Sequence, residues 1–351
     1  MLEVIEERAD LVRVRAAGGG RELEAVGFPS MLGPLRLGDR VVVNATGIEL
    51  GLGTGGVGFV LWNLDGAGPQ DGGPGHIVKL RYTPWQMNVA AAEAPESPHH
   101  EALAEATALG GMPVVACGLH SQISGVAAGI KAVAPATRVG YLMTDGGALP
   151  LAWSRLVREL RAAGLIDATC TSGHAFGGDL EAVNVFSGLA ALAHAAGMDI
   201  AVVSLGPGVV GTATALGFSG IEQGQVLDAA SALQGRGYAC LRISFADERP
   251  RHRGVSHHSL TALSVAARER ATAVLPRLGV QEMDLVRHQL AALGDRHDLI
   301  EEDGHPGVEL LAAVGLRPTT MGRDMNEAPE TFLAAAAAGS AAARVLTPLT
   351  G

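Results

Sequence analysis

From about residue 102 onwards, short apolar runs rich in β-branched residues alternate with amphipathic stretches, a pattern that predicts strands followed by helices. MPVVACG leads to a helix over 121–133, RVGYLMT to one over 150–163, and IDATCT to one over 179–196. AVVSL precedes a helix over 222–234, and YACLRISF one over 256–275. Helices over 281–293, 306–314 and 329–346 follow, with an acidic segment around Glu301 between the first two. Pro150 suits a first helical position, Ser256 an N-cap, and Gly164 and Gly197 the C-terminal ends of helices. The run Ala334 to Ala338 predicts close helix packing in the core. Strands alternating with helices imply a mainly parallel sheet joined by right-handed crossovers.

The first ninety residues carry a different pattern. LVRVRA, ELEAVGF, PLRLGDRVVVNAT, GFVLWNL and HIVKLRYT are short strand-like runs separated by Gly, Pro and Asp turns, enough for a small barrel. The prolines and acids of 88–100 mark a boundary, and His99 and His100 read as solvated within it. The expected fold class is therefore α/β: a mainly parallel sheet flanked by helices over 101–351, behind a small β-rich, barrel-like domain over 1–92.

Composition narrows the partners. The 351 residues carry 48 glycines, about twice the usual share of ~7%. They cluster at predicted strand ends, as tight βα turns require. A formal net charge of −10 with no basic face argues against nucleic acid. No apolar run reaches the roughly 18–20 residues that span a bilayer, so no membrane partner is expected. Met1-Leu-Glu-Val-Ile-Glu-Glu-Arg is too acidic for a signal peptide, and Cys117, Cys170 and Cys240 lack paired spacing. These features predict a soluble, cytoplasmic protein with a small-molecule ligand and room for homo-oligomer formation.

In an open α/β sheet, ligands bind beyond the carboxyl ends of the strands. The polar residues there are His120 with Ser121 and Gln122, Thr144 with Asp145, and Ser172 with His174. Further along stand Gly206, Gly208, Gly211, Thr212 and Thr214, then Asp247, Arg249, Arg251, His252, Arg253, His257 and His258. Each group has a plainer reading: a backbone-bonded histidine, a turn former at Asp145, a helix cap at Asp179, a solvated arginine loop. RHRGVSHHS is the hardest to dismiss, because histidines beside arginines can ligate metal, move protons or hold phosphate.

Gly206, Gly208 and Gly211 form a GxGxxG after a convincing strand. No clean helix follows, and no acid stands about 20 residues on, so the dinucleotide fingerprint is incomplete. Backbone N–H groups of the loop could still receive an anion. Two overlapping matches within Gly51–Gly58 precede a strand and read as a structural loop.

LRYTPWQ, GLHSQ, TDGGALP, SGHAFGGDLEAVN, GPGVVGTATALGFSGIEQG and RISFADERPRHRGVSHHSLTAL together resemble the bacterial domain of unknown function family numbered 3866. The resemblance spans nearly the whole chain. It implies that these stretches belong to one unit, and it implies no activity, cofactor or catalytic residue.

Three readings of function stay open at this level. The first is a hydrolase or group transferase acting on a small anionic or phosphate-bearing metabolite. There His120, Asp145, His174, Asp247, His252, His257 and His258 do the catalytic work, and the 206–214 loop with Arg249, Arg251 and Arg253 binds the ligand. The second is a metal-dependent enzyme with a His/Asp site, the metal unspecified. The third is a ligand-sensing or assembly module without turnover. No cofactor is named by any motif.

Overall fold

The computed structural model describes residues 1–51, 55–68 and 75–346. Gly53, shared by both N-terminal GxGxxG matches, lies outside them. The chain divides into two compact units, Met1–Ala90 and Ala91–Gly351.

The first unit is built on a mixed five-stranded sheet: β1 (Glu3–Glu7), β2 (Val12–Gly18), β3 (Arg21–Gly27), β4 (Val41–Asn44) and β5 (Gly58–Asn63), ordered β1-β2-β3-β5-β4. Gly19 and Gly20, both at positive φ, make the two-residue turn between β2 and β3. Val12, Val14, Ala25, Leu32, Leu35 and Val60 form its core. The Met1 ammonium donates to Asp39 O (2.5 Å), beside the segment entering β4, and the sheet is open, with β1 and β4 as its edges. Its membership differs from expectation. Residues 76–83 contribute β6 (Ile77–Lys79), which pairs with β7 (Met87–Val89) in a separate ribbon, and acidic β1 takes the fifth place. Three glutamates in five residues hide β1 from a hydrophobic pattern; in the sheet Glu3 pairs with Arg15 on β2 at 2.5 Å.

The second unit contains an all-parallel eight-stranded sheet. Its strands are β8 (Pro113–Cys117), β9 (Val139–Thr144), β10 (Ala168–Ser172), β11 (Leu180–Ala182), β12 (Ile200–Leu205), β13 (Arg236–Cys240), β16 (Thr272–Pro276) and β17 (Asp298–Glu302). The order is β11-β10-β9-β12-β8-β13-β16-β17, and a short ribbon of β14 (Ile243–Ser244) and β15 (Gly254–Val255) follows β13. The helices are α1 (Gln122–Val133), α2 (Arg155–Ala162), α3 (Val185–Ala190), α4 (Glu222–Ala232), α5 (His257–Thr261), α6 (Val280–Leu290), α7 (His305–Ala313) and α8 (Pro329–Arg344). Odd and even positions along the central strands face opposite layers. Val115, Cys117, Tyr141 and Met143 pack on α1, α2, α7 and α8. Val114, Ala116, Leu142 and Val203 pack with α3, α4 and α6. Fully buried on both faces, these strands read as continuous apolar runs.

Three local expectations are corrected. Residues 179–196 open with edge strand β11, because Asp179 caps no helix: its carboxylate accepts from the N–H and hydroxyl of Thr169 (2.8 and 2.9 Å). The predicted 256–275 helix ends at Ala266, and β16 takes 272–276. Its sequence favours helix, but Asp228 on α4 accepts the N–H groups of Arg268 and Glu269 at 2.8 and 2.9 Å and draws the chain away. Pro150 starts no α-helix; a 3₁₀ turn follows, and α2 begins behind Ser154, whose Oγ accepts the Val157 N–H (3.1 Å). The caps at Gly164, Gly197 and Ser256 are present.

Residues 91–100 belong to the second unit: the Ala92 N–H donates to Glu181 O at 2.8 Å, and Ala91 and Ala94 are buried. Helices α1 and α8 approach so closely that a Cβ on Gly129 would collide with Ala336 O, and one on Gly339 with Val126 O. Every residue of Ala334–Ala338 is buried there. Among the described residues no helix is long and apolar enough to cross a membrane.

Candidate functional site at the carboxyl edge

Neighbouring strands β8 and β13 send their chains in opposite directions, β8 towards β9 and β13 towards β16, and β9 and β12 do the same. Such reversals open crevices at the carboxyl edge. Two buried amides knit the centre. Gln223 Nε2 donates to Ala116 O (2.7 Å) and Cys240 O (2.9 Å), while Gln122 accepts from the Leu119 N–H (3.0 Å) and donates to Leu241 O (3.1 Å).

His120 is absorbed into this frame. Its Nδ1 contacts Leu205 O and Tyr141 Oη, each at 3.1 Å, and its Nε2 meets Ser154 Oγ at 2.7 Å. Burial lowers its pKa to about 4, so the ring is neutral and both nitrogens are occupied. Asp145 accepts the His174 N–H at 3.0 Å and shapes the turn after β10, where Gly173 adopts a φ of +65°. Ser121 Oγ donates to Thr320 Oγ1 (3.0 Å).

Glu222, at the start of α4, accepts a 2.5 Å hydrogen bond from Thr144 Oγ1. Burial, opposed by the Thr144 hydrogen bond and aided by the nearby Asp145 charge, raises its pKa to about 7. Sequence reasoning passes over it, because GIEQG carries no motif and the shift arises only once Thr144 and the 145–147 turn close over the carboxyl.

Of the glycines in the 206–214 loop, Gly206 is the one that serves clearance. A Cβ on Gly206 would strike Ala148 O, and one on Gly211 would lie 3.7 Å from the His258 ring. Gly208, at a φ of +94°, is exposed. Several N–H groups are spent internally: Val210 donates to Ser219 Oγ (3.1 Å) and Thr212 to Gly217 O (2.8 Å). Thr214 Oγ1 accepts from the Gly217 N–H at 3.0 Å. The next element is a 3₁₀ turn at Ser219–Ile221, not the helix a dinucleotide loop requires.

Beyond β13 the charges gather. Arg242 and Asp247 are 7% and 5% exposed, with 3.7 Å between guanidinium and carboxylate. Arg249 grips Asp247 bidentately (2.9 and 2.7 Å) and, with burial opposing, holds its pKa well below the usual carboxylate range. Burial, opposed by Asp247 and aided by the guanidinia of Arg249 and Arg323, lowers Arg242 to about 10. Arg242, Ser244, Asp247, Thr320, Arg323 and Thr331 line a shallow depression here. Arg251 is exposed, and Arg253 donates to Phe245 O at 3.4 Å. Thr320 and Arg323 arrive on a distant loop, and nothing in the sequence announces them.

Three of the predicted histidines do meet. The ring centres of His252 and His257 are 4.9 Å apart, those of His252 and His258 5.0 Å, and those of His257 and His258 4.3 Å. One ligand-capable nitrogen from each lies within 4.8 Å of the others. His252 Nδ1 bonds Ser256 Oγ at 2.7 Å, and the same oxygen caps α5 by accepting the His258 N–H (3.2 Å). His258 stacks on Phe218 at 4.0 Å and 5° and receives Arg242 on Nδ1 at 3.4 Å. His257 Nε2 is buried and has no hydrogen-bond partner among the described residues. Leaving such a group unpaired costs about 1–3 kcal/mol. Burial first, then the surrounding guanidinia, lower His252 to about 4 and His258 to about 3, and lower His257 as well. All three are neutral at pH 7, as metal ligands must be.

Fold and site together define a doubly flanked parallel α/β protein with its polar groups massed at the carboxyl edge of the sheet. The chain belongs to the family described as Protein of unknown function (DUF3866), whose model matches residues 24–339. Neither the curated proteins nor the solved structures yield a match.

Proposed function

We propose that the carboxyl edge around β13 binds a small anionic metabolite, phosphate- or carboxylate-bearing, and hydrolyses it or transfers a group from it. One observation carries this reading: Arg242 and Arg323 share a partly buried depression with a single acid, Asp247, which is already bonded to Arg249. That surplus of guanidinium charge stands in a chain of net −10. Guanidinium is the side chain best suited to hold a carboxylate or phosphate in two-pronged fashion. Arg242, fixed by burial, and Arg323, less enclosed, are the ligand-holding pair. Arg249 keeps Asp247 ionised, and Arg251 and Arg253 add to the field that draws an anion in. The depression is shallow, so it takes only the charged end of the ligand. Both nitrogens of His120 are taken, so His120 is not the group that moves a proton.

Calorimetric titration with inorganic phosphate and a panel of phosphate monoesters tests the reading. Binding should weaken with salt, and Arg323→Gln should weaken it at least tenfold without changing the melting temperature. Equal binding by wild type and variant refutes it. Release of free phosphate from a bound monoester separates turnover from ligand sensing.

A further inference from the structure

We infer that His252, His257 and His258 form a site for one divalent transition metal of the zinc, cobalt or iron(II) class. The inference goes beyond the anion reading, and the two sites meet at Arg242, which donates to His258 Nδ1 at 3.4 Å.

Three features of the cluster point the same way. The first is convergence: one nitrogen from each ring lies within 4.8 Å of the other two. Nitrogens around a tetrahedral zinc, with bonds of about 2.0–2.1 Å, stand about 3.3 Å apart, so side-chain shifts of about an ångström would complete the shell. The second is the buried His257 Nε2, which meets no described partner. A cation at the centre of the trio gives that lone pair a use. The third is the support behind the ligands. A metal-bound imidazole characteristically donates its other N–H to a fixed acceptor. His252 has one in Ser256 Oγ at 2.7 Å, which leaves its Nε2 free to ligate. The His258 ring is held by its stack on Phe218.

The supply of ligands follows from local structure. His252 ends a 3₁₀ turn, the β15 segment brings the chain back, and Ser256 starts α5 so that His257 and His258 enter its first turn. Imidazole donors suit zinc, copper, iron and nickel better than magnesium or calcium. Three protein ligands leave a fourth position open, the pattern of catalytic rather than structural zinc sites. Water at that position would be acidified. The neighbouring arginines disfavour a bare cation, so metal and an anion should bind more tightly together than either alone.

The test uses the full chain, stripped with chelator and re-equilibrated with Zn²⁺ or Co²⁺ alone. One ion per chain is expected by elemental analysis, and His257→Ala and His252→Ala should bind at least tenfold more weakly. His305→Ala, whose imidazole pairs instead with Asp303, should retain the ion. Wild-type protein that takes up no stoichiometric metal overturns the inference, as does undiminished uptake by His257→Ala. If the variants fail to fold, the Co²⁺ form of the wild type decides. Its paramagnetically shifted proton spectrum should show three imidazole rings on the metal, and fewer than three overturns the assignment. The anion reading fails separately: phosphate binding by the chelated protein depends on Arg323, whatever the metal result.

Discussion

Replacing Glu222 with Gln should change how stability depends on pH, in a direction the structure dictates. The folded carboxyl keeps its proton up to about pH 7, whereas its ordinary value is 4.5. Between these limits the native state holds a proton that the unfolded chain has released. Stability from this group is therefore fully present below pH 4.5 and is lost as pH rises through 7. Each unit is worth 1.36 kcal/mol, so the span amounts to about 3 kcal/mol. Gln keeps an oxygen that can accept from Thr144 Oγ1 and carries no proton to lose. Urea unfolding of wild type and Glu222→Gln at pH 5, 6, 7 and 8 isolates the effect, because other titrating groups cancel in the difference. The variant should match wild type within about 1 kcal/mol at pH 5 and exceed it by about 3 kcal/mol at pH 8. Asp145→Asn should end the loss at a lower pH and make it smaller, since the Asp145 charge raises the folded Glu222 value. Parallel curves for wild type and Glu222→Gln would refute the reasoning.

Three further outcomes follow from packing and hydrogen bonding. Gly339→Ala should destabilise the second unit by about 1–3 kcal/mol in a melting curve, because its methyl meets Val126 O and the helices must part. Gln223→Met, similar in volume, should cost about 1–3 kcal/mol for each of the two strand-end carbonyls it abandons, and hydrogen exchange should quicken at the ends of β8 and β13. Ser154→Ala should lose about 1 kcal/mol of helix cap, measured by denaturation. The same change leaves the buried His120 Nε2 without its partner, which adds to the loss.

Much of the architecture is legible in the sequence because each central strand is an apolar run stopped by Gly or a polar residue. The sheet then buries those runs on both faces. Legibility fails where a distant side chain decides the local path. Helix propensity over 262–271 is real, but Asp228 redirects the chain there. Asp179 reads as a cap until Thr169 is seen beside it. At the site, His252, His257 and His258 are readable together because seven residues carry all three, and one turn returns the chain on itself. His120 shows no such outward sign. Its bonds to Leu205, Tyr141 and Ser154 come from three separate parts of the chain, two of them strands. Arg323 and Glu222 owe their importance to neighbours far along the chain, so position after a strand could not single them out.

The place of β8 has a consequence for how this protein is made. It is the first strand of its sheet to leave the ribosome, yet it ends between β12 and β13, which follow much later. Until residues 200–205 and 236–240 emerge, a buried-type strand, PVVAC, has both edges bare. β9 cannot relieve it, because β12 must enter between them. The closing helix arrives later still: the Phe245 N–H donates to Glu330 (2.5 Å) and the Thr331 hydroxyl to Ile243 O (2.7 Å), so α8 secures the strand that leads into the histidine cluster. Non-local closure of this kind is slow and leaves apolar edges exposed to other chains. Until α8 closes, the nascent chain carries unpaired strand edges, and its histidine cluster is among the last parts to take shape.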